Sequence, residues 1–81
     1  MARDRCYKAL LEAYVAVYTE LGVDFHSIDK VDGWFMNYEM EESRQEEILE
    51  SVMKKYKLTK LEKRAVSNSY YIGCSPKFKK I

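Results

Sequence analysis

The chain has 81 residues, 47% of them hydrophobic and 33% charged, with a formal net charge of +1. That length accommodates one domain, residues 1–81, and the apolar and aromatic content excludes a disordered chain. One histidine and two widely separated cysteines, Cys6 and Cys74, fall short of the roughly four nitrogen or sulfur donors of a zinc site, so neither a metal nor a cofactor is expected.

The longest unbroken apolar run, Ala13–Tyr18, is far shorter than the roughly 20 residues of a membrane span. Met1-Ala2-Arg3-Asp4-Arg5 leads straight into a helical pattern without the features of a signal peptide. These features predict a cytoplasmic protein with reduced thiols, a disulfide between the chain ends being the lesser alternative. The small net charge conceals a split. Residues 1–50 carry five Lys/Arg against twelve Asp/Glu, and residues 51–81 carry nine against one.

From about Arg3 to Leu21, apolar residues recur at spacings of three and four: Tyr7, Leu10, Leu11, Tyr14, Val17, Tyr18 and Leu21. This is one face of a helix, with Asp4 as a candidate N-cap and Gly22 as its stop. Ala9, Ala13, Val15 and Ala16 widen the stripe, so the helix is either central to the core or buried against a partner.

Val23–Met40 is ambiguous: Val23–Ser27 reads as a connection, and Asp32-Gly33 is a turn signal. After it, Trp34, Met36, Tyr38 and Met40 alternate with Phe35, Asn37 and Glu39, which favours a short strand; an irregular aromatic segment over the core is the other option.

Glu41–Tyr56 is the clearest helix. Ser43-Arg44-Gln45-Glu46 matches a capping box, and Ile48, Leu49, Val52, Met53 and Tyr56 form its apolar stripe. Glutamates at its start and lysines at its end complement the helix dipole, which accounts for part of the charge split. A second capping box, Thr59-Lys60-Leu61-Glu62, predicts a further helix with a thin stripe of Leu58, Leu61, Ala65 and Ile72, ending near Gly73 and Pro76. Val66–Ile72 is poor in helix formers and could be a strand instead. Residues 77–81 are expected to be a frayed basic tail.

The predicted fold is thus mainly α, a small three-helix domain with an aromatic connecting segment. The alternative is α+β, with Trp34–Met40 and Val66–Ile72 in a short antiparallel sheet.

Nothing in the spacing builds a catalytic constellation. His26 has no nucleophile placed beside it, the glutamates lie along a helix face, and the three glycines are isolated. A binding protein is therefore expected, not an enzyme. The aromatics Trp34, Phe35 and Tyr38, with Tyr70 and Tyr71, suit either a small core or the centre of an interface. Tyr14 and Tyr18 on the apolar first helix join Trp34, Phe35 and Tyr38 as the candidate protein-binding residues, and the surrounding Asp29, Asp32, Glu39, Glu41 and Glu42 favour a basic partner. The opposite charges of the two halves suggest homo-oligomers.

The competing reading is nucleic-acid binding by a helix-turn-helix-like C-terminal region. There Lys60, Lys63, Arg64, Ser67, Asn68 and Tyr71 could face a groove. Near-neutral overall charge and a turn without glycine count against it.

The stretches Asp32-Gly33-Trp34-Phe35-Met36-Asn37-Tyr38, Met53-Lys54-Lys55-Tyr56-Lys57-Leu58-Thr59-Lys60 and Tyr71-Ile72-Gly73-Cys74-Ser75-Pro76 give the chain a resemblance to the small accessory proteins of T4-like tailed phages. The resemblance implies a stoichiometric inhibitor or modulator of a host or phage protein, acting in the host cytoplasm. A cytoplasmic antiholin, an anti-defence protein and a modifier of host transcription are of this type. It assigns no role to individual residues.

Overall fold

The computed structural model describes residues 2–80, with side chains from Asp4 to Lys80. The fold is mainly α. It comprises α1 (Ala2–Glu20), α2 (Glu42–Lys55) and α3 (Lys60–Ile72), with short strands β1 (Glu39–Met40) and β2 (Lys77–Phe78) and two 3-10 turns, Phe25–Ser27 and Trp34–Asn37. Among the described residues, no helix is long and apolar enough to cross a membrane.

Side-chain contacts fix the helix directions. Cys6 meets Glu62, Tyr14 meets the Tyr70 carbonyl and Tyr18 meets the Cys74 carbonyl, each pair 56 residues apart, so α1 and α3 run parallel. Glu12 meets Lys55 while Glu20 meets Arg44, so α2 runs antiparallel to α1. This register puts Cys74, just past the end of α3, twelve residues beyond the level of Cys6. At 1.5 Å per residue that is roughly 18 Å. A disulfide tolerates Cα atoms only about 7 Å apart, and both cysteines are free.

The core forms around α1, whose Ala9, Ala13, Tyr14, Val17 and Tyr18 are buried. The small alanines let the neighbouring helices approach, and the tyrosines fill the space beyond. Ile48, Leu49, Val52 and Met53 close the core from α2, Val66 and Tyr70 from α3, and Phe25, Ile28 and Met40 from the connection. Fully burying such a side chain stabilises the fold by about 1.5–3 kcal/mol.

Each helix ends for a different reason. α1 stops in a Schellman motif: Gly22 has φ +78°, its N–H donates to Thr19 O at 2.9 Å, and Val23 N–H donates to Tyr18 O at 2.8 Å. α2 stops in the same motif, with Lys57 N–H on Lys54 O and Leu58 N–H on Met53 O, but its left-handed position is held by Lys57 at φ +54°. Leu58 and Met53, both buried, make the apolar contact that accompanies the motif. α3 stops at Gly73, whose N–H donates to Ser69 O at 3.0 Å.

Several expectations are corrected. The alternating aromatic segment is not the short strand that its alternation favoured but the irregular alternative. Trp34–Asn37 forms a 3-10 turn and only Glu39–Met40 is extended, because Gly33 enters in the left-handed region and sends the chain into a tight turn. Val66–Ile72 is helical throughout, as the three-helix reading has it, and not the strand of the alternative; the small sheet is parallel, pairing Glu39 with Lys77 and Met40 with Phe78. The basic tail is therefore tied down: Lys77 N–H donates to Tyr38 O at 2.9 Å and Lys79 N–H to Met40 O at 3.1 Å. Ile81 lies outside the described residues.

The first capping box is not used. α2 begins at Glu42 with Glu41 as its cap residue, which leaves Ser43 inside the first turn. The Thr59–Glu62 box is formed in both directions. Asp4 lies inside the first turn of α1 and is no cap. The stripe read for α3 also points the wrong way. Leu58 is buried in the turn before the helix, but Leu61 is 77% exposed and Ile72 84% exposed, while Val66 and Tyr70 face the core.

Candidate functional site

Residues 21–41 cross from the end of α1 to the start of α2, pinned from within and apolar without. Phe25, Ile28 and Met40 are its buried anchors. Phe25 stacks on Tyr14 with ring centroids 5.1 Å apart, and Tyr38 packs edge-on against Tyr18 at 5.6 Å. Asp24 accepts from His26 N–H at 3.0 Å and from the Ser27 hydroxyl at 3.1 Å, and these bonds hold its carboxyl below the usual carboxylate range. Asp29 accepts from the N–H groups of Val31 and Asp32 and so fixes the following turn. On this fixed frame Val31 is 95% exposed and Trp34 56% exposed, with Met36 exposed beside them.

The predicted protein-binding residues divide. Tyr14 and Tyr18 are not available to a partner. Both are buried, and their hydroxyls serve the end of α3: Tyr14 donates to the Tyr70 carbonyl at 2.8 Å and accepts from Cys74 N–H at 3.0 Å, while Tyr18 donates to the Cys74 carbonyl at 2.5 Å. Desolvation raises the pKa of both hydroxyls, Tyr18 the more strongly. Their polar tips were needed at the orphan carbonyls and N–H groups where α3 stops, and helical periodicity carries no sign of that demand.

Trp34, Phe35 and Tyr38 remain at or near the surface, but on two sides of the connection. Trp34 and Tyr38 line one recess of about 420 Å³ with Asp24, Ile28, Asp29 and Asp32. Phe35 lines another of about 470 Å³ with Met36, Tyr71, Ile72, Pro76 and Phe78. The exposed apolar residues Val31, Met36, Ile72 and Phe78 were not singled out in the sequence as contact residues. The signal for Ile72 was its position off the core face of α3, legible only once Val66 and Tyr70 are known to define that face.

The second predicted set is also divided. Lys60, Arg64 and Asn68 are exposed on α3, whereas Lys63 is drawn to Glu50 of α2 at 3.6 Å. Tyr71 is half-buried, its ring edge-on to Tyr70 and to Phe78 at 4.9 and 5.7 Å, which removes it from a free basic face.

The charge split is partly neutralised within the chain. Glu12 pairs with Lys55 at 3.1 Å, Glu20 with Arg44, Glu50 with Lys63, and Arg5 with Glu62 at 3.3 Å. Part of the remainder separates along the molecule, although the tail brings Lys77 and Lys79 beside Glu39 and Glu41. Because α2 is antiparallel to its neighbours, Lys54 and Lys57 come to the same end as Lys60 and Arg64, while Asp24, Asp29, Asp32, Glu39, Glu41 and Glu42 lie at the other. Among the described residues, none of these four basic side chains makes an ion pair.

No protein-family model, curated protein or solved structure matches the chain.

Proposed function

We propose that this chain acts by stoichiometric binding to a protein partner, as an inhibitor or modulator, and that the exposed side chains of the Val31–Tyr38 segment supply its contact surface. One observation carries the reading: large apolar side chains, Trp34 foremost, stand exposed on a segment whose own anchors are buried. A rigid, pre-ordered aromatic surface loses little conformational entropy on association, and tryptophan is among the side chains that dominate interface energetics. The test is a tagged pull-down from the native cellular context, with and without nuclease, comparing the wild-type chain with Trp34→Ser and Met36→Ser. A stoichiometric protein that survives nuclease and is lost with Trp34→Ser supports the proposal. Full retention by both folded variants removes it.

A second reading rests on a separate observation, the unpaired basic end formed by Lys54, Lys57, Lys60 and Arg64. It would serve a nucleic acid. Binding to a generic duplex should then weaken steeply with salt, with a slope reporting the phosphates neutralised. A flat salt response removes this reading.

A further inference from the structure

The recess beside Trp34 has an aromatic and apolar floor, from Ile28, Trp34 and Tyr38, and an anionic rim, from Asp24, Asp29 and Asp32. The one lysine within this stretch adds to the lowering that hydrogen bonds produce at the Asp24 and Asp29 carboxyls, but its direct contacts lie elsewhere. Lys30 Nζ donates to the carbonyls of Phe25 and Ile28 at 2.9 and 3.3 Å and stands 4.2 Å from the centroid of the Phe25 ring. Among the described residues, no ion pair compensates any of the three carboxylates. Two of them are also fixed in place by backbone N–H groups, Asp24 by His26 and Asp29 by Val31 and Asp32. Among the described residues, no group of three or more His, Cys, Asp or Glu is placed to hold a metal ion. The Asp29 and Asp32 carboxyls are close enough to interact directly, and Asp24 joins them in the lining of the recess.

We propose that this recess receives an arginine side chain of the protein partner. The inference rests on the protein-binding reading above and specifies the chemistry of the contact. A guanidinium is planar and permanently charged. It can lie against the face of an indole while its forked N–H groups reach carboxylates at the edge. A hydrated ammonium suits this shape less well, and an anionic or purely apolar group would leave the rim charges uncompensated. Exposed Val31, next to Asp32 in the chain, adds apolar surface beside the recess, so the partner's arginine sits within a segment that also presents apolar surface.

Trp34 is the chain's only tryptophan, so its emission reports the recess directly. The experiment titrates the full chain with a short arginine-containing peptide, and with the same peptide carrying citrulline, which keeps the shape and removes the charge. A saturable change with the arginine peptide is expected, weakened about tenfold or more by citrulline and by Asp32→Asn or Asp24→Asn in variants whose far-ultraviolet dichroism is unchanged. Equal response to the two peptides, no saturable response, or undiminished binding by both variants overturns the arginine recess. The pull-down separates this from the broader proposal. A partner that depends on Trp34 but is held at full strength by both aspartate variants leaves the contact surface standing and removes the arginine. A partner indifferent to Trp34 as well removes both.

Discussion

The Tyr70 hydroxyl donates to Gln45 Oε1 at 2.7 Å, with both residues at 0% exposure. The other end of the same amide donates to the Met40 carbonyl at 2.9 Å and the Pro76 carbonyl at 3.3 Å. Gln45 therefore fastens α2 to α3, to β1 and to the residue that leads into β2, and every polar atom of its side chain has a partner. A buried network that is fully satisfied holds one arrangement, because breaking any member leaves others desolvated and unpaired. Gln45→Ala is expected to lower stability by about 3 kcal/mol, from lost bonds and the space left behind. Tyr70→Phe should cost about 1–2 kcal/mol. The double variant Gln45→Ala/Tyr70→Phe should lose less than the sum, by chemical denaturation of all three; strict additivity would mean that the bond contributes nothing.

Tyr14 and Gly73 form a second linked pair. A Cβ at Gly73 would collide with the Tyr14 hydroxyl and press on the Ser69 carbonyl. Gly73→Ala is expected to destabilise by about 1–3 kcal/mol through overpacking. Tyr14→Phe should itself cost about 1–3 kcal/mol, since Cys74 N–H and the Tyr70 carbonyl lose their partner. Because Tyr14→Phe removes the obstructing oxygen, Gly73→Ala should cost less in that background than in the wild type. An equal cost in both would assign the role of Gly73 to the backbone alone.

Lys57 holds a left-handed position that its counterpart at the end of α1 gives to Gly22. A side chain there costs about 1–2 kcal/mol, partly offset by the greater unfolded-state freedom of glycine. Lys57→Gly is expected to raise stability by about 0.5–1 kcal/mol, read as a higher denaturation midpoint with unchanged slope. A lower midpoint would show that Lys57 makes contacts that outweigh its backbone.

Burial raises the pKa of Tyr14, Tyr18 and Tyr70 above the ordinary value of 10.0. In the unfolded chain these hydroxyls ionise near that value, whereas the folded chain retains the protons to higher pH. Their contribution is complete below about pH 10 and falls as pH rises above it, because the unfolded state then binds fewer protons. In an alkaline titration, the tyrosinate absorbance of Tyr14, Tyr18 and Tyr70, assigned by difference from their Phe variants, should appear together with loss of helical dichroism and not before it. Ionisation of these three with the helices intact would contradict the buried network.

Much of the fold is legible in the sequence because its causes are local. The three- and four-residue spacing of apolar side chains places α1 and α2, the Thr59–Glu62 box starts α3, and Gly22 stops α1, since each rests on contacts within a few residues. The candidate site was legible only in part. Trp34, Phe35 and Tyr38 stand out by type, but nothing local says that Trp34 and Phe35 serve recesses on different sides of the connection, or that Tyr14 and Tyr18 are withdrawn into the core.

A small, mainly helical domain and the positions of its principal helices follow from the amino-acid pattern, because hydrogen bonding and apolar periodicity act at short range. Which face of α3 is buried, how the tail pairs beside β1, and where the three aspartates stand relative to Trp34 are set by long-range packing. Those outcomes depend on Tyr70 reaching Gln45, on Tyr14 and Tyr18 reaching the end of α3, and on the parallel register of α1 and α3. Such contacts join residues 25 to 56 positions apart, and no local pattern encodes them.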